Sequence, residues 1–155
     1  MATITVHRRI QVPSETIWKV ISDFGAISKF NPYLKHSELL EGSAECGLGT
    51  ERQCDMKIGG SYMRERVIDW QEGASYTVDI YESPLPIKNI RTTLRIHPLN
   101  VGLCEVYMSS NYEPRFGFFG KVLDLLILRW MMRYMFAGML KGLEKYVTRT
   151  PDLTP

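Results

Sequence analysis

The chain is 155 residues long, 45% hydrophobic and 23% charged, with a formal net charge of +2 and three cysteines. That length is close to the commonest size of one domain, so a single domain over 1–149 and a short tail over 150–155 are expected. The small, scattered positive charge excludes the footprint of a nucleic-acid binder, and an odd number of cysteines without CxxC spacing excludes a disulfide framework and a zinc site, which fits reduced thiols in a cytoplasmic protein.

Residues 3–12 alternate as a strand does, and they hold no apolar run of signal-peptide length. Pro13-Ser14-Glu15 then supplies an N-cap serine and an acidic first turn, so a helix is expected from Ser14. Ile17, Trp18, Ile21 and Phe24 follow at helical spacing, Gly25 stops the helix, and a second short turn through Ile27, Ser28 and Phe30 ends at Pro32. From Leu34 onward the period becomes two, with strands at 35–41, 48–57, 61–71, 74–83, 88–97 and 102–113. Glu41-Gly42-Ser43, Ile58-Gly59-Gly60, Glu72-Gly73 and Asn100-Val101-Gly102 are tight links, which make successive strands antiparallel neighbours. Two prolines make Ser83-Pro84-Leu85-Pro86 a stiff loop instead.

After the helix-hostile Glu113-Pro114, one long helix runs from about Gly117 to Thr148. Its Val122–Leu140 portion is apolar over roughly the length of a membrane span. Asp124, Arg129 and Arg133 interrupt it at about 2.5–3.5 kcal/mol each, which favours a buried or interfacial helix. Arg129, Arg133, Lys141, Glu144 and Lys145 cluster on one side, leaving Met131, Met135, Gly138 and Met139 toward the sheet. Upstream, Phe116, Phe118, Phe119, Leu125 and Leu126 make the helix apolar nearly all round. That excess predicts a cavity mouth, a homodimer contact or peripheral docking on a membrane.

The class is therefore α+β: a curved antiparallel sheet of about seven strands around a long C-terminal helix, with two short helices after the first strand. A sheet curled around one helix bends away from it near one end, so a cavity between them is expected. Alternation points Val78 and Ile80, then Ile90, Thr92, Leu94 and Ile96, then Cys104, Val106, Met108 and Ser110 toward the helix. Such a lining suits a small hydrophobic ligand, and plain core is the alternative for each residue singly. On the 61–71 strand, Met63, Glu65 and Val67 share one side and Tyr62, Arg64, Arg66 and Ile68 the other, with neither cleanly apolar.

Pro13-Ser14-Glu15-Thr16-Ile17-Trp18, Ser22-Asp23-Phe24-Gly25 followed by Asn31-Pro32, Arg64-Glu65-Arg66-Val67 and Leu85-Pro86-Ile87-Lys88-Asn89-Ile90 occur in an order and spacing that resemble the helix-grip (START-like, SRPBCC) superfamily. That group includes polyketide cyclase/dehydrase-like proteins, lipid-binding START domains, pollen-allergen-type proteins and the plant abscisic-acid receptors. The resemblance implies a helix-grip fold enclosing a ligand far more strongly than it implies a reaction. It places Glu65 on the inner face and Lys35 where the receptors carry a lysine that meets an acidic ligand, so the two would form a buried polar anchor. It also implies mobile loops at Lys57–Ser61 and Pro84–Ile87, for which ordinary turns are the alternative.

The expected ligand site comprises Lys35, Glu65, Val78, Ile80, Ile90, Thr92, Met108, Met131, Tyr134, Met135 and Gly138. The ligand expected there is a lipid, quinone or polyketide-like molecule. Two other readings stay open: a cyclase or dehydratase using Glu65 as acid/base with Lys35 or Tyr134, and a lipid or quinone carrier that docks on membranes. No HExxH, GxGxxG, phosphate-loop or GxSxG motif occurs, so neither a metal nor a cofactor is implied. His7, His36 and His97 are read as surface or strand-edge residues without carboxylate partners in register.

Overall fold

A computed structural model describes residues 1–150, so the expected tail lies, beyond Thr150, outside the described residues. Seven strands form one sheet: β1 (Ala2–Ile10), β2 (Leu34–Leu39), β3 (Glu51–Met56), β4 (Tyr62–Gln71), β5 (Ser75–Glu82), β6 (Ile87–Asn100) and β7 (Leu103–Pro114). All pairings are antiparallel, in the order β1-β7-β6-β5-β4-β3-β2. The meander from β3 to β7 follows from its short links, whereas β2 and β3 are joined by the longer 40–50 stretch instead of a tight turn at Glu41-Gly42-Ser43; β1 returns to pair with the last strand, so β1 and β2 are the two edges. Helix α1 (Ser14–Ile21) and a 3-10 segment (Phe24–Lys29) connect those edges. The C-terminal helix runs as α2 (Gly117–Leu123), a π turn (Asp124–Leu128) and α3 (Arg129–Arg149). This is the helix-grip arrangement, a curved sheet closing around a long C-terminal helix.

Several details depart from the sequence reading. Pro13, not Ser14, is the N-cap of α1; Ser14 is the first helical residue, and no side chain caps the end. The Thr16 amide instead bonds the Pro13 carbonyl at 3.1 Å. Strand β3 begins at Glu51 rather than 48. Strand β6 continues past Pro98 to Asn100. The proline is tolerated because β5 stops opposite Arg95, so beyond that point β6 has β7 as its one partner and needs fewer donors.

Bulges supply the curvature. The β6–β7 register shifts between Lys88 and Arg91, where Asn89 adopts φ 52°, and Ile87 and Ile90 therefore both face inward although three residues apart. Two further shifts interrupt β4 against β5. Inside the sheet, α3 buries Met132, Met139, Leu140, Leu143 and Val147, a helical stripe with the spacing of a packed face. Gly138 and Gly142 allow α3 to approach the 30–33 segment: a Cβ at Gly142 would lie 2.1 Å from the Phe30 carbonyl oxygen, and one at Gly138 would lie 2.2 Å from the Tyr33 hydroxyl. Among the described residues no helix is long and apolar enough to cross a membrane.

Candidate functional site

The core is divided. One cluster includes Phe24, Tyr76, Val78, Leu94, Met108 and Met139; the other includes Ile4, Ile87, Ile90, Tyr112, Leu128 and Met132, with Ile80 and Phe136 packed against both. Between them lies a cavity of about 100 Å³. Its wall is made by β3, β4, β5, β6 and β7 on the sheet side and by Met132, Met135, Phe136 and Met139 of α3, with Asn31, Tyr33 and the Ser83–Leu85 loop at the rim. Six of the chain's eight methionines line it: Met56, Met63, Met108, Met132, Met135 and Met139. An unbranched thioether fills irregular space and changes rotamer at small cost, so this wall is deformable where a Leu or Ile wall would not be.

One part of the wall is ionic. Arg52 and Glu65 face each other across β3 and β4, both nearly fully buried. The Arg52 Nε donates to Glu65 Oε2 at 2.7 Å, and Nη2 lies 2.6 Å from the same oxygen. Nη1 donates to the Phe24 carbonyl at 2.8 Å, and the guanidinium sits 3.7 Å above the Phe24 ring centre. Every group of Arg52 thus has a partner, which is the condition for keeping a charge in an apolar interior. Burial alone works against the guanidinium charge, yet the Glu65 carboxylate, with Cys54 and Tyr76 behind it, outweighs burial and raises the Arg52 pKa further. Burial also pushes the neighbouring Cys54 thiol up to about 12, with Glu65 adding to the shift, and raises the Tyr76 phenol, where Arg52 acts in opposition. Elsewhere in the wall the Thr92 hydroxyl shares a 3.0 Å hydrogen bond with the Ser110 hydroxyl.

The structure brings Glu65, Val78, Ile80, Ile90, Thr92, Met108 and Met135 together around this cavity. Four expected residues lie elsewhere. Lys35 is exposed, because the β2–β3 register shifts between Leu34 and His36 and turns Lys35 and His36 both outward; the partner of Glu65 is Arg52. Tyr134 is 72% exposed on the far side of α3, which removes it and Lys35 as proton-transfer partners of Glu65. Met131 packs against the second core cluster beside Leu128, about 100° around the helix from the lining residue Met132. Gly138 accommodates Tyr33 instead of facing the cavity.

Arg52 escaped the sequence reading because a charged residue shares its side of β3 with Cys54 and Met56, opposite Glu51, Gln53 and Asp55, and a guanidinium is rarely expected on an inner face. The available signal was register: the four-residue loop 57–60, closed by the Met56 amide on the Ser61 carbonyl, sets Arg52 opposite Glu65. The histidine reading also needs correction. His7 Nδ1 lies 2.7 Å from Glu105 Oε1, His97 stands opposite Glu105 in register, and His36 Nε2 lies 3.7 Å from Glu38. His7, His36 and His97 have exposed side chains outside the cavity wall. The loops at Lys57–Ser61 and Pro84–Ile87 are neighbours at the surface, where Gly60, Ser61, Ser83 and Pro84 border one shallow depression, and the second of them reaches the cavity through Leu85 and Ile87. Among the described residues no group of His, Cys, Asp or Glu is arranged to hold a metal.

Residues 1–148 match the family described as polyketide cyclase / dehydrase and lipid transport. Comparison with curated proteins gives no match. Similar solved structures include an uncharacterised protein from Bacillus thuringiensis (21% identity, TM-score 0.77, covering 95% of this chain and 99% of that one). The protein XoxI from Bacillus cereus is similar at 22% identity and TM-score 0.77, covering 96% of each chain. A point mutant of norcoclaurine synthase from Thalictrum flavum, in complex with a transition-state analogue, is similar at 19% identity and TM-score 0.73, covering 96% of this chain and 94% of that one. At these identities the likeness concerns the fold.

Proposed function

Because the chain belongs to the polyketide cyclase / dehydrase and lipid transport family, we propose that it binds a small hydrophobic molecule carrying one polar group, with the apolar body against the methionine wall and the polar group at Arg52–Glu65. The observation that carries this reading is the combination of six lining methionines with a single buried ion pair. Both short contacts from Arg52 go to Glu65 Oε2, and among the described residues no hydrogen bond reaches Oε1. Oε1 is the natural acceptor for a ligand hydroxyl or amine.

The volume sets a condition. Pockets for drug-sized ligands span roughly 300–1,000 Å³, well above the present cavity. A compact ring fits with little change, and a lipid- or quinone-sized molecule enters only if methionine side chains swing aside. Binding is favoured over turnover because the expected proton-transfer partners Lys35 and Tyr134 are on the surface and Glu65 is held by a guanidinium. A general acid–base pair needs both groups within hydrogen-bond reach of one substrate.

The test is mass spectrometry of an organic extract of mildly purified protein, compared with extracts of a mock purification and of Met135→Trp. A molecule with an apolar body and a donor group, enriched with the native protein and lost in the variant, supports the reading. Identical extracts from native protein and variant refute it.

A further inference from the structure

The outer side of α2, the π turn and the start of α3 carries a continuous apolar surface: Phe118, Phe119, Leu125, Leu126 and Trp130 are all more than half exposed, and Phe119 reaches 81%. A monomer seldom leaves such a patch to water without use. The π turn enlarges it, since Leu125, Leu126 and Ile127 are three consecutive exposed apolar residues, which a regular helix on a core would not present together.

Charge identifies what covers it. Between Arg115 and Lys141 the chain has five basic residues, Arg115, Lys121, Arg129, Arg133 and Lys141, and one acidic residue, Asp124. Asp124 is 2% exposed: it accepts a hydrogen bond from the Tyr112 hydroxyl and one from Arg129 Nη2 at 3.0 Å. The single negative charge of the segment is thus withdrawn beneath the surface and neutralised there, while Arg115, Lys121 and Arg133 stay exposed around the aromatic patch. Glu113, which borders Arg115, Phe116 and Lys121, is half-buried and lies 3.8 Å from Lys88 Nζ, so the rim keeps a net excess of cations. Apolar and aromatic side chains with such a rim match the headgroup region of an anionic bilayer. In that region aromatic rings sit at the polar boundary and basic side chains meet lipid phosphates.

We propose that this face docks the protein peripherally on anionic membranes, with Phe118, Phe119 and Trp130 inserted at headgroup level and Lys121 and Arg133 on lipid phosphates. A second copy of this chain is the competing occupant, and it is disfavoured because a two-fold contact would set a net excess of cations on both sides, the acid at the rim, Glu113, being already paired with Lys88. The inference does not depend on the cavity reading. It does place Met132 and Met135, which line the cavity, on the same helix that would lie against the lipid.

Co-flotation of the full chain with vesicles of phosphatidylcholine, and of phosphatidylcholine mixed with phosphatidylserine, tests the proposal, with Trp130 fluorescence as a second readout. Expected are binding to the mixed vesicles only, a blue shift on binding, and release at high salt. Each basic residue near an anionic surface is worth about fivefold in partitioning, so Lys121→Gln/Arg133→Gln should weaken binding about 25-fold. Phe119→Glu should abolish it with an unchanged circular dichroism spectrum, since the side chain touches no core residue cluster. Equal affinity for both vesicle types, no flotation at all, or a dimer in sedimentation that Phe119→Glu dissolves while vesicles go unbound would each overturn it.

Discussion

Replacing Arg52 by Met keeps most of its volume and removes its charge and three polar contacts: two to Glu65 at 2.7 and 2.6 Å, and one to the Phe24 carbonyl at 2.8 Å. Both ionic partners are nearly fully buried, so water cannot replace what is lost. Breaking a buried ion pair from one side costs about 3–5 kcal/mol, and the orphaned Phe24 carbonyl accounts for about 1–3 kcal/mol of that scale. With a urea slope of about 2 kcal/mol per molar, the unfolding midpoint of Arg52→Met should fall by roughly 2 M. Glu65→Leu alone should cost a similar amount, because it leaves the guanidinium without its counter-ion. The double replacement Arg52→Met/Glu65→Leu leaves no unpaired charge, and it should be more stable than either single variant, with a coupling of about 2–3 kcal/mol. Single variants within about 1 kcal/mol of the native protein, with no coupling, would show that the pair is solvated and would remove the ionic end of the cavity from the account.

Cys46 is exposed whereas Cys54 and Cys104 are buried, so iodoacetamide should label one thiol in the native protein and three in denaturant; rapid native labelling of Cys54 would contradict its place in the cavity wall. Burial raises Cys54 and Cys104 from 9.0 to about 12 and about 11, so the folded state holds these protons more tightly than the unfolded chain does. Their contribution is complete below pH 9.0 and is lost as pH rises toward 11 and 12; the melting temperature should fall across that window, and Cys54→Ala should flatten the decline. Gly142→Ala drives a methyl group into the Phe30 backbone and should destabilise by about 1–3 kcal/mol in the same urea titration, whereas native stability would mean that α3 does not approach this segment. Met135→Trp fills the cavity, so binding of an apolar fluorophore should drop at least tenfold with folding retained; unchanged binding would move the ligand elsewhere.

The parts of this architecture that the sequence made legible are those governed by one local signal. Clean alternation in β5, β6 and β7 assigned Val78, Ile90, Thr92, Leu94 and Met108 to the inner face, and the Gly-rich links marked an antiparallel meander. The parts it concealed depend on single-residue shifts. A register shift after Leu34 moved Lys35 into solvent, and a four-residue loop decided that Arg52 meets Glu65. Within α3 the lining residues Met132, Met135, Phe136 and Met139 follow the spacing i, i+3, i+4, i+7, so Met131 lies one residue off the stripe. A shift of one residue is invisible to composition and period, yet it exchanges a buried anchor for a surface charge.

Nuclear magnetic resonance of protein labelled at the methionine methyl groups tests the central claim most directly, with benzyl alcohol as a probe that joins an apolar ring to one hydroxyl donor. Binding in the cavity predicts that the methyl signals of Met56, Met63, Met108, Met132, Met135 and Met139 shift together along one titration curve while Met1 and Met131 stay in place. The same titration on Glu65→Leu/Arg52→Met should be weaker. Shifts confined to Met1 or Met131, or no saturable shift in the six lining methyls, would contradict a ligand enclosed between the sheet and the C-terminal helix.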